Sequence, residues 1–111
     1  MSALQQFKSA NFPMTADGRT YHVGTKRGEV SNRMIFVGDL GRAKKIAQEF
    51  LKEDIHFAYR SSREFLTITG KYKGVPVTII STGMGYPMLD FSIRECRAVV
   101  DGEMAMIRIG T

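Results

Sequence analysis

Apolar residues first gather at Met34-Ile35-Phe36-Val37, a short unbroken run closed by Gly38-Asp39. Such a run fits a strand buried on both faces. From Arg42 the spacing changes: Ala43, Ile46, Ala47, Phe50 and Leu51 fall at helical intervals, with Lys44, Lys45, Gln48 and Glu49 opposite. That stripe predicts an amphipathic helix with Phe50 among its core residues. Beyond Asp54 the period drops to two, with Ile55, Phe57 and Tyr59 on one arm and Leu66 and Ile68 on the next, where Thr67 and Thr69 take the other face. Gly74 lies at the centre of a turn signal, so the arm through Leu66 and Ile68 and the arm Val77-Thr78-Ile79-Ile80 form an antiparallel hairpin.

A second helix starts near Pro87, a residue suited to a first helical turn. Leu89, Ile93, Cys96 and Val100 form its apolar face, Arg94, Glu95 and Arg97 its solvated one, and Asp101-Gly102 its end. Met104-Ala105-Met106-Ile107 then reads as another buried strand, which delivers Arg108-Ile109-Gly110-Thr111 at its carboxyl end. Strand, helix, hairpin, helix, strand is an α/β order. Residues 1–20 lack sustained periodicity and read as an extension that lies over a surface or reaches a neighbour; residues 21–111 form the domain proper.

Composition narrows the classes. In 111 residues, 43% of them hydrophobic, a single modest core is expected, without repeats or low-complexity tracts. Cys96 has no partner in the chain, which excludes a disulfide scaffold and fits a reducing compartment. No apolar run approaches the roughly 20 residues that span a bilayer, and the first dozen residues lack a signal-peptide core. The expectation is a cytoplasmic protein without membrane partners. A net charge of +5 invites a nucleic-acid reading, yet Lys and Arg are spread from Lys8 to Arg108 with acids between them. Surplus Arg has another use, because its planar fork matches a phosphate oxyanion. Ligands of open α/β sheets gather at the carboxyl ends of strands. Two such ends carry Arg here, Gly38-Asp39-Leu40-Gly41-Arg42 and Arg108-Ile109-Gly110-Thr111. A glycine-containing loop entering a helix also offers backbone N–H groups to an anion. The pairing suggests a phosphate site.

Gly38-Asp39-Leu40-Gly41-Arg42, Ser62-Arg63-Glu64-Phe65, Ser81-Thr82-Gly83-Met84-Gly85-Tyr86-Pro87 and Arg108-Ile109-Gly110-Thr111, in this order and spacing, resemble the N-terminal part of nucleoside phosphorylases of the uridine phosphorylase type. Tyr21-His22-Val23-Gly24 extends the resemblance, which covers about residues 21–111. It implies a three-layer α/β/α fold with a central mixed sheet, of which this is the N-terminal part. It also implies an enzyme that phosphorolyses a nucleoside, uridine first, to the free base and ribose 1-phosphate. Position by position, phosphate would meet the Gly38 backbone, the Arg42 and Arg108 guanidinium groups, both catalytic, and the Thr111 hydroxyl. Arg63 would reach a neighbour's phosphate and His22 a neighbour's ribose 5′-hydroxyl, so the active site would be shared within a homodimer, with higher oligomers open. The partners implied are nucleoside and phosphate, not nucleic acid; inorganic phosphate is a co-substrate and no cofactor is implied.

Two departures touch the detail. Val37 and Leu40 stand where the family has prolines around Gly38-Asp39, so a more mobile loop is expected. Met88 replaces the serine that, with the glutamate matching Glu64, can hold a monovalent cation; no metal is expected, and Glu64 is assigned to an interface or a salt bridge. The family's base pocket lies beyond the residue matching Thr111, so these 111 residues alone are expected to be inactive. A purine nucleoside phosphorylase of the same superfamily and a noncatalytic basic binding module remain as alternative readings.

Overall fold

The computed structural model describes residues 14–52, 54–83 and 86–110. Strand β1 (Arg33–Val37) leads into helix α1 (Leu40–Ile46), which continues as a wider turn over Ala47–Leu51. Strands β2 (Ile55–Arg60), β3 (Leu66–Tyr72) and β4 (Val75–Ser81) follow, then helix α2 (Tyr86–Val99) and strand β5 (Ala105–Ile109). The strands form one mixed sheet in the order β2-β3-β4-β1-β5. The expected hairpin is β3–β4, antiparallel from Leu66↔Ser81 to Tyr72↔Val75, and β1 lies parallel to both β4 and β5.

Alternation along the strands divides the core into two layers. Met34 and Phe36 of β1 and Ile80 of β4 face one way, packing with Val23, Phe65 and the α2 residues Cys96 and Val99. Val37, Ile79, Leu66 and Ile68 face the other way, against Ala43, Ala47 and Leu51 of α1. The result is the expected α/β/α arrangement. Burying a side chain such as Phe36, 1% exposed, contributes about 2–3 kcal/mol.

Helix α1 begins at Asp39, whose carboxylate accepts from the Arg42 backbone N–H at 2.9 Å, a capping bond that contributes about 1 kcal/mol. Its second half departs from the expected regular helix. Lys52 N–H bonds the Ala47 carbonyl at 3.0 Å, a five-residue step that widens the turn. Ala43, Ala47 and Leu51 stay on the sheet, but Phe50 is carried off the apolar face, is 52% exposed and meets the Tyr72 ring edge to face.

Strand β5 is present and pairs with β1; within these 111 residues its other side is open, and Ile107 is 62% exposed. On α2, Ile93 is exposed while Glu95 is buried. No described helix is long and apolar enough to cross a membrane.

Candidate active site

Because β4, β1 and β5 are parallel and β3 runs against them, Val37, Ser81 and Ile109 end at the same edge where β2 finishes and β3 starts. The loop of residues 61–65 therefore joins the β1–α1 turn on one rim, which holds four of the expected site residues.

Arg42 sits in the first turn of α1 and Gly38 on the β1–α1 turn. Val37, just before Gly38, pairs in register with Ile109, which brings Arg108 beside that turn. The turn is braced from behind: Thr82 N–H donates to the Val37 carbonyl at 2.8 Å. A side chain at position 38 would meet the Gly83 carbonyl oxygen at 3.3 Å, so the close approach of the two loops calls for glycine there. Arg42 is half-buried and Arg108 exposed, and the Arg108 guanidinium folds back over Gly110. Thr111 and the turn residues Met84 and Gly85 lie outside the described residues.

Charge pairing separates the arginines. Arg19 is bonded to Glu29, Arg27 to Asp101, Arg60 to Glu64 and Arg94 to Asp90. Among the described residues, no acidic partner is found for Arg33, Arg42, Arg63, Arg97 or Arg108, and of these Arg42, Arg63 and Arg108 lie on the rim. Glu64 thus makes the salt bridge assigned to it, within the chain.

Arg63 and His22 form a second group. The Arg63 guanidinium lies over the Tyr21 ring, and the neighbouring His22 carbonyl accepts from the Ser61 hydroxyl at 2.6 Å. Gly24 completes this strap at φ +80°, where an added Cβ would lie 2.8 Å from Tyr59 Cε2. Along the rim, β3 lies two strand spacings from β1 and three from β5, about 10 and 14 Å, so Arg63 enters the rim at a distance from Arg108.

Glu95, expected to be solvated, is a component of the second group. It accepts from the His22 and Val23 backbone N–H groups at 3.0 and 2.7 Å, and its Oε2 lies 2.7 Å from His22 Nδ1. A glutamate between two arginines gives no sign of burial; the available signal was its helical position beside Ser92, Cys96 and Val99, all buried. Burial pushes the adjoining Cys96 thiol up to about 12, and the Glu95 carboxylate adds to that shift. The apolar depression beside Ile35, Ile46, Val77, Ile79 and Ile109 has no charged lining, and lacks the groups that would hold an anion.

Residues 32–111 match the family model described as "Phosphorylase superfamily". A uridine phosphorylase of Thermococcus kodakarensis is 38% identical over 108 residues, 97% of this chain and 37% of the relative. A DeoD-type purine nucleoside phosphorylase of Streptococcus pyogenes is 37% identical over 91 residues, 81% of this chain and 37% of the relative. Among solved structures, a chain from a study of two uridine phosphorylases of the oomycete Phytophthora capsici superposes with a TM-score of 0.85 at 49% identity, over 90% of this chain and 34% of that one. A Trypanosoma brucei nucleoside phosphorylase, described as showing uridine phosphorylase activity, gives 0.80 at 35% identity over 90% and 38%. The chain thus spans little more than a third of the length of these relatives. A family match across the whole of the sheet, and structural neighbours that share its fold, establish that the chain belongs to the phosphorylase superfamily.

Proposed function

We propose that the protein takes part in phosphorolysis of a nucleoside, with uridine as substrate, giving uracil and ribose 1-phosphate. The observation that carries this reading is the rim itself: Arg42 and Arg108 flank the Gly38 turn, and no acidic partner for either is found among the described residues. Two guanidinium forks beside the Gly38 turn suit a phosphate dianion. Phosphate oxygen forms the new bond to the anomeric carbon as the glycosidic C–N bond breaks, and the base leaves with the electron pair and takes up a proton. The chain's residues bind the anion, aim one oxygen, and hold negative charge beside the developing ribosyl cation. Thr111 adds a hydroxyl to phosphate. The reaction as proposed uses phosphate as co-substrate and neither a cofactor nor a metal.

Arg63 and His22 act in this proposal from a second subunit, Arg63 on phosphate and His22 on the ribose 5′-hydroxyl. The three strand spacings between β3, which Arg63 precedes, and β5, which carries Arg108, support a site completed across a homodimer. Mixing subunits tests it. Arg63→Ala and Arg108→Ala proteins should each be nearly inactive, and co-refolded mixtures should recover about a quarter of normal activity, since each mixed dimer retains one intact site. Recovery no greater than the sum of the separate variants would reject the shared site. The parent assay is phosphate-dependent release of uracil from uridine, and absence of turnover by the protein in its native form would reject the activity.

The similarity to purine nucleoside phosphorylases supports a second reading, with a purine nucleoside as substrate. Inosine in the same assay separates the two: faster phosphorolysis of inosine than of uridine would favour it.

A further inference from the structure

Glu95 is the most heavily engaged acid of the described chain. Its side chain is 6% exposed and sits on α2, yet its hydrogen bonds go to residues 22 and 23, more than seventy positions earlier. One carboxylate takes the His22 N–H with both oxygens at 3.0 Å, the Val23 N–H with Oε1 at 2.7 Å, and the His22 ring with Oε2 at 2.7 Å from Nδ1. A buried carboxylate carries a large desolvation cost, which several charge-assisted bonds offset. Bonding of backbone and ring by one group has a further effect. The backbone bonds set where residue 22 sits, and the ring bond sets how its imidazole is turned.

From this we infer that Glu95 is the positioning residue of His22. A carboxylate acceptor at Nδ1 places the proton on that nitrogen, so the ring is turned with Nε2 as its other polar atom. Ser61 fixes the other side of the same peptide by donating to the His22 carbonyl at 2.6 Å. The ring is thereby immobilised before substrate arrives, and the cost of orienting it is met in folding. The inference rests on the proposed contact of His22 with the ribose 5′-hydroxyl for its effect on turnover, but its structural content, Glu95 control of the ring, is independent of that contact.

Two measurements on the native protein keep the two apart. The first is ¹⁵N NMR of histidine-labelled protein, in which the two histidines are distinguished with a His22→Gln variant. The ring signal of His22 should show a protonated Nδ1, and Glu95→Gln should move it toward the usual Nε2–H tautomer or into exchange between forms. The second is turnover of uridine against 5′-deoxyuridine, which lacks the hydroxyl. Glu95→Gln should lower kcat/KM for uridine about tenfold, mainly through KM, and leave 5′-deoxyuridine within about twofold; Glu95→Asp should recover part of the loss. If His22→Gln leaves uridine turnover unchanged, the ribose contact fails while the NMR shift still upholds Glu95 control of the ring. An unmoved ring signal, or equal loss on both substrates, would overturn the inference and leave Glu95 a packing residue.

Discussion

The Arg63 guanidinium lies 4.5 Å above the centre of the Tyr21 ring. The ring face attracts the cation without neutralising it, which leaves the fork's N–H donors available to an anion. If Arg63 serves a neighbouring phosphate, Tyr21→Leu should raise the phosphate KM about two- to fivefold, equivalent to a contact of about 0.5–1 kcal/mol. Arg63→Ala should have a larger effect, on kcat as well as KM. Steady-state kinetics with phosphate varied would distinguish these, and a Tyr21→Leu enzyme identical to the parent would show that the ring does not position Arg63.

The two rim arginines predict a different profile. Arg42→Ala and Arg108→Ala should each raise the phosphate KM at least about tenfold, with little change in thermal stability, because neither group is tied to an acid among the described residues. Arg108→Lys should rescue poorly, since an ammonium cannot reproduce a bidentate fork. Phosphate titration by calorimetry, without nucleoside, checks the binding component directly.

Gly24→Ala tests the strap rather than the anion site. The new Cβ would meet Tyr59 Cε2 at 2.8 Å at a φ of +80°, where an L side chain is strained. Overpacking and strain together should cost about 2–4 kcal/mol, read as a lower midpoint in urea denaturation.

Within the sheet, the Thr67 hydroxyl is buried and has no hydrogen-bond partner among the described residues. Thr67→Val keeps the shape and β-branching while removing a desolvated polar atom. The substitution should raise stability by about 1 kcal/mol, and a fall in the denaturation midpoint would count against an unpaired hydroxyl.

Cys96 gives a signed pH dependence. Burial raises its folded value to about 12 from the ordinary 9.0, so the thiol stays protonated in the native chain while the unfolded chain ionises. Between these values the unfolded state binds fewer protons than the native one, and stability falls as pH rises, by up to about 1.4 kcal/mol per pH unit from this group. The contribution is fully present below about 9. Urea unfolding at pH 8 and pH 10.5 should show the loss in the parent and a shallower one in Cys96→Ala.

Residues whose surroundings follow from their own neighbours were readable from sequence. The β3–β4 hairpin, the β1–α1 turn and the α1 stripe through Ala43, Ala47 and Leu51 are local patterns, and the structure has them. Phe50 was not, because a single five-residue hydrogen-bond step rotates it away from the face that a regular helix gives it. Strand β5 was legible as a strand from its apolar run, whereas its parallel pairing with β1 joins residues about seventy positions apart and no local pattern reports it. Glu95 escaped for a similar reason: its environment is made by residues 22 and 23, distant in sequence. At the candidate site, Gly38, Arg42, Arg63 and Arg108 were legible as motifs, whereas the strand spacings between them follow from strand order.

The bond from Thr82 N–H to the Val37 carbonyl joins the ends of two neighbouring strands just behind the Gly38 turn. In the language of hydrogen exchange, that amide belongs with the sheet interior and not with the loops. A loop stitched to the slowest-exchanging part of a domain has little opening motion of its own. The Thr82 amide is accordingly expected to exchange in step with the sheet interior, and the Gly38 turn beside it to stand formed before phosphate arrives.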